Sequence, residues 1–87
     1  MRATIFFDTS AIIKLYHDEV GTEEVLSIVN KHNPIILISD LTKIEFNSAF
    51  AKKVRTNEIS EDTFQQIIRL FDIDTKKYEI IERVRND

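Results

Sequence analysis

An α/β domain on a parallel sheet is what this chain's hydropathy pattern predicts, and three observations predict it. Short β-branched or aromatic runs fall at residues 3–7, 35–38 and 78–84. The stretches between them carry apolar residues at helical spacing and open on residues that cap helices. One Gly and one Pro in 87 residues leave no linker, so a single domain is expected. The order β-α-α-β-α-α-β follows. Strands separated by helices imply parallel pairing with helices packed on the sheet.

The elements are justified in turn. Residues 3–7, Ala-Thr-Ile-Phe-Phe, end abruptly at Asp8, as a short buried strand does. Asp8-Thr9-Ser10 opens a helix in which Ile12, Leu15 and Tyr16 share a face. A second helix starts near Thr22, with Val25, Ile28 and Val29 at i, i+3 and i+4. It stops by Asn33-Pro34, because the residue before a proline avoids the helical region. Residues 35–38 are apolar without alternation, which predicts a strand covered on both faces.

Ser39-Asp40-Leu41-Thr42 closes that strand and opens a third helix to about Thr56. Ser60 followed by Glu61 and Asp62 sets the start of a fourth, since a cap and two acids favour the positive end of the helix dipole. Phe64, Ile67, Ile68 and Phe71 form its buried stripe. Residues 78–84 alternate loosely and are read as a third strand.

Composition narrows the class. The chain is 43% hydrophobic and 31% charged, far from a disordered profile. At this length a folded chain buries roughly two-thirds of the surface that its unfolded form exposes, which leaves a thin margin of stability. No cysteine is present, which excludes disulfides and thiolate metal sites. Only three apolar residues precede Asp8 after Met1-Arg2-Ala3-Thr4, too few for a signal peptide, and no run is long enough to span a membrane. A cytoplasmic setting is expected. The net charge of −3 excludes a generally basic nucleic-acid coat protein but not a local contact. Lys43, Lys52, Lys53 and Arg55 gather in the middle, and Asp18, Glu19, Glu23 and Glu24 earlier.

In parallel α/β sheets ligands gather at the carboxyl ends of the strands. Asp8 ends the first strand, and Glu45 follows the second by about one helical turn. Two adjacent strands in register bring these acids to one edge. A pair of carboxylates with small hydroxyls nearby suits a hard cation such as Mg²⁺, which takes one or two carboxylates and keeps several waters. Each acid also has a purely structural reading. Asp8 is a good N-cap, and Thr42-x-x-Glu45 matches a capping box. Asp40 reads as a helix-start residue, His32 as a boundary core position, and Lys52-Lys53-x-Arg55 as the solvated end of a helix. No glycine-rich loop follows the first strand, which excludes a dinucleotide or P-loop site. Ser10 stands where an aspartyl phosphotransferase would need a second acid.

Phe6-Phe7-Asp8-Thr9-Ser10-Ala11-Ile12-Ile13-Lys14-Leu15-Tyr16 and Ile38-Ser39-Asp40-Leu41-Thr42-Lys43-Ile44-Glu45 together resemble a PIN domain of the VapC toxin type. The resemblance continues through Gly21-Thr22-Glu23-Glu24-Val25 and Glu58-Ile59-Ser60. It implies an endoribonuclease dependent on Mg²⁺ or Mn²⁺, acting on RNA, neutralised by a cognate antitoxin and often dimeric. Its catalytic and metal-binding acids fall on Asp8 and Glu45, and Ser10 and Thr42 become the candidate substrate-binding hydroxyls.

The family's later acids, introduced by an Asp-Ala-x-x-Leu-Ala-like stretch, have no counterpart here, and Asp87 comes too early to stand for the third. Residues 1–87 are therefore read as the opening part of one PIN-like domain, with the C-terminal part of the fold missing. Two function classes remain. One is a ribonuclease completed from elsewhere; the other is a remnant that binds an antitoxin-like peptide or self-associates. In the family's sheet the first strand is central, so its free edge, from Ala3 to Phe7, is expected to show Ile5 and Phe7 and to pair with a second copy.

Overall fold

Three parallel strands and four helices make up the computed structural model, which describes residues 2–82. β1 (Thr4–Phe6), α1 (Thr9–Tyr16), α2 (Thr22–His32), β2 (Ile35–Ser39), α3 (Asp40–Arg55), α4 (Glu61–Thr75) and β3 (Glu79–Ile81) follow in the expected order. The sheet order is β1-β2-β3, with every pairing parallel. Thr4 lies opposite Ile35 and Phe6 opposite Leu37, while Leu37 lies opposite Glu79 and Ser39 opposite Ile81. The third strand is shorter than the 78–84 run, of which residues 83 and 84 lie outside the described residues.

Each helix starts where its cap directs. Asp8, Ser39 and Ser60 have extended backbones and accept from the amides of Ala11, Leu41 and Thr63. α2 is entered differently, through Gly21 at φ +96°. A side chain there is strained in this left-handed conformation, and a Cβ would also meet Lys14 Cε at 3.0 Å. Asn33 ends α2 at φ 42°. Beside it, the Arg2 guanidinium donates to the carbonyls of Asn33 and Pro34 at 2.9 and 3.0 Å.

The core is aromatic. Phe46 stacks on Phe71 with ring centroids 3.8 Å apart, lies 4.7 Å from Phe50, and takes the edge of Tyr16 at 5.3 Å. Ile12, Ile38 and Phe7 complete the buried set. At its margin the Tyr16 hydroxyl meets Asp74 Oδ2 and the Tyr78 hydroxyl, both at 2.7 Å, tying α1 to the end of α4. Burial, then these two bonds, push the Tyr16 phenol well above the ordinary tyrosine range, so it stays a neutral donor.

Two expectations need correction here. The second strand is not covered on both faces among the described residues. Strand alternation sends Ile5, Ile36 and Ile38 toward the helices, where they join the core, and Phe6 and Ile81 to the other face. Phe6 and Ile81 are 53% and 47% exposed. The same alternation corrects the view of Phe7 as an exposed edge residue: it is 4% exposed, Ile5 is half-buried, and Phe6 is the apolar group left open. His32, expected at the core boundary, is exposed on the last turn of α2.

Candidate active site at the carboxyl edge of the sheet

Because β1 and β2 run parallel and in register, the residues that follow them emerge side by side. Asp8 and Thr9 come from the end of β1, and Ser39 from the end of β2. α3 then turns back over the edge and brings Thr42 and Glu45 to the same place. Phe6, Asp8, Thr9, Ser10, Ser39, Leu41, Thr42 and Glu45 line one shallow depression of about 290 Å³. Asp8, Ser10 and Glu45 are exposed in it.

The contacts inside the depression define each role. Asp8 Oδ1 accepts from the Ala11 amide at 2.8 Å, so one carboxylate oxygen is used as the α1 cap. Its second oxygen has no protein hydrogen bond among the described residues. The cap therefore occupies one oxygen of the side chain and leaves the other without a protein partner among the described residues. Glu45 Oε1 accepts from the Thr9 hydroxyl at 2.5 Å. The capping box expected at Thr42-x-x-Glu45 does not form, because Ser39 caps α3 and Thr42 already lies inside the helix.

Thr9 Oγ1 also lies 3.3 Å from Thr42 Oγ1. A hydroxyl has one proton. The Thr9 proton therefore points chiefly to the carboxylate, the stronger and nearer acceptor, and Thr42 Oγ1 is a second, more distant acceptor of the same hydroxyl. Thr42, expected to contact substrate, is 1% exposed, and what it offers the site is support for Thr9. Ser10, the other expected substrate contact, lines the depression and accepts from Lys14 Nζ at 2.8 Å. Asp40 sits in the first turn of α3 and does not line the depression.

Thr9 is the site residue that sequence reasoning missed. It lies 36 residues from Glu45, and no spacing rule joins them. The only hint is a hydroxyl directly after Asp8.

Of the basic cluster expected as a solvated helix end, Lys52 and Arg55 are exposed in the last turn of α3, and Lys53 departs from the expectation. Lys53 is half-buried, bonded to Glu19 at 3.0 Å and to Glu58 at 3.1 Å, and Glu19 also meets His17 Nδ1 at 3.2 Å. Burial pushes the Glu19 carboxyl up, but the bonds from Lys53 and His17 outweigh it and hold the group below the usual carboxylate range. Burial pulls Lys53 down, and its two carboxylate partners outweigh that and raise it.

The donor set fits a hard divalent cation in a limited sense. Two exposed carboxylates and neighbouring hydroxyls supply oxygen only, as Mg²⁺ and Mn²⁺ prefer. Among the described residues no group of three or more acidic, His or Cys side chains is gathered for a metal. Two carboxylates alone predict a weakly held ion that keeps most of its waters.

The domain is thus a parallel α/β sheet with two carboxylates in one depression at its carboxyl edge. The sequence model of the PIN domain matches residues 5–87, and the chain belongs to that family, which is one of nucleases. No curated protein matches the chain. No described helix is long and apolar enough to cross a membrane.

Proposed function

We propose that this chain is a PIN domain of the VapC toxin type, acting with Mg²⁺ or Mn²⁺ as an endoribonuclease that a cognate antitoxin neutralises. The observation that carries this reading is the convergence of Asp8 and Glu45 in one depression, the first capping α1 and the second held by Thr9. Asp8 and Glu45 would hold the cation. When bound, such an ion lowers the pKa of a coordinated water and offsets charge on a phosphate oxygen. The chain's own contribution is to hold the two acids. The cap bond to Ala11 fixes Asp8, and the bond from the Thr9 hydroxyl fixes Glu45. Ser10, on the rim, is placed to donate to a phosphate or ribose oxygen.

The test pairs binding with cleavage. Mn²⁺ is titrated calorimetrically into wild type, Asp8→Ala and Glu45→Ala, and single-stranded RNA is incubated with wild type and Asp8→Asn. Each alanine variant is expected to bind the ion more weakly, and cleavage to be slow and lost in Asp8→Asn. Further acids from outside residues 1–87 are expected to raise it. Indistinguishable isotherms for all three proteins would remove the proposed site.

A second reading is a non-catalytic module that self-associates or binds an antitoxin, and the open sheet face favours it. β1 is an edge strand among the described residues, with Phe6 exposed beside it. Pairing of two such edges in a homo-oligomer is compatible with either reading.

A further inference from the structure

A second concavity, of about 580 Å³, opens beside the acids. Thr9 and Ser10 line both, so the two are continuous across the first turn of α1. One wall is a stripe of α3: Ala49, Lys52 and Thr56 stand at i+4, i+7 and i+11 from Glu45, on the helix face that carries it. Ile13, one turn on from Thr9 and Ser10, adds an apolar surface, and Glu19, Lys53 and Glu58 close the end.

The two lysines differ. Lys53 is held between Glu19 and Glu58. Lys52 is exposed, and among the described residues no carboxylate lies within ion-pair distance of it. Seven helical residues place it ~10 Å along α3 from Glu45. Screening in ordinary salt has a length of about 8 Å, so a charge that far away does little through its field and must act by direct contact.

We propose that this concavity is a nucleotide subsite that takes the unit of an RNA strand adjacent to the one at the acids, with Lys52 as its phosphate contact. The proposal rests on the RNA-cleaving reading above. A strand whose phosphate approaches Asp8 and Glu45 meets two negative charges, and a neighbouring phosphate at Lys52 offsets that repulsion. The Ser10 hydroxyl lines the path between, Thr56 stands one turn beyond Lys52, and Ile13 and Ala49 give the sugar or base an apolar surface.

The test is fluorescence anisotropy of a labelled, cleavage-resistant phosphorothioate single-stranded RNA in Mg²⁺ over a salt series. Wild type is compared with Lys52→Met, Lys52→Arg and Lys31→Met. Lys31 lies at the end of α2, next to the start of β2 and so at the opposite end of the sheet. Lys52→Met is expected to weaken binding several-fold and to lower the slope of log affinity against log salt by about 0.7, the loss of one phosphate contact on a single strand. Lys52→Arg keeps the slope, and Lys31→Met leaves it unchanged. RNA binding by wild type with an unaltered slope in Lys52→Met overturns the subsite and leaves the nuclease reading standing. Absence of any RNA binding by wild type overturns both.

Discussion

Replacing Thr9 with valine removes one hydroxyl from the site and keeps nearly the same volume. Two effects follow, and they separate. Glu45 loses the donor that holds Oε1. A hydrogen bond to a charged group contributes ~1.5–3 kcal/mol when buried, but Glu45 is exposed and solvent screens it toward ~1 kcal/mol. Freeing a long side chain that must be fixed again on binding costs ~0.5–1.5 kcal/mol. Together these place the loss of Mn²⁺ affinity at about tenfold, at the low end of the ~10–100-fold cost of deleting a group that orients a metal ligand.

The second effect is on stability, because the hydroxyl of the fully buried Thr42 loses its Thr9 partner. That costs ~1–3 kcal/mol. Adding Thr42→Val removes the stranded group, so the double variant is expected to regain stability but not affinity. Calorimetric Mn²⁺ titration reads the first effect and urea unfolding the second. Affinity within twofold of wild type in Thr9→Val, with Glu45→Gln clearly impaired, would show that Glu45 needs no help from Thr9.

Three further outcomes are expected. Phe46→Ala removes the ring that touches Phe50, Phe71 and Tyr16 and should cost ~3–5 kcal/mol in urea unfolding; a loss near ~1 kcal/mol would mean the core refills. The Glu19–Lys53–Glu58 cluster should stabilise the fold by ~1 kcal/mol, discounted for its partial exposure. Glu19 is lowered on folding, so its part is present above the usual carboxylate range and fades as pH falls through and below that range. Lys53 is raised, so its part is complete below pH ~10.5 and fades above it; Lys53→Met should flatten stability at both ends, and unchanged curves would rule the cluster out. Phe6→Lys should lower the apparent mass in light scattering across a dilution series, since it puts a charge on the open face beside β1; wild type that stays monomeric at every concentration would count against edge pairing.

Much of the fold was legible in the chain because its signals are local. N-caps at Asp8, Ser39 and Ser60, the break at Asn33-Pro34 and the apolar stripe through Phe64, Ile67, Ile68 and Phe71 act over a few residues, and each element appears where they place it. The expected adjacency of β1 and β2 is found in the sheet, and with it the meeting of Asp8 and Glu45 at one edge. What the sequence could not decide are contacts between groups far apart along the chain. The Thr9 hydroxyl on Glu45, the burial of Thr42 and the enclosure of Lys53 by Glu19 and Glu58 depend on how α1, α3 and the loops beside them pack. The same holds for Phe6 and Phe7. Both are apolar and adjacent, so composition cannot distinguish them. Strand pairing fixes the alternation, turning Phe7 to the helices and Phe6 to the open face. The use of Asp8 is likewise decided in space: one oxygen accepts from the Ala11 amide, and the residue also lines the depression at the strand ends.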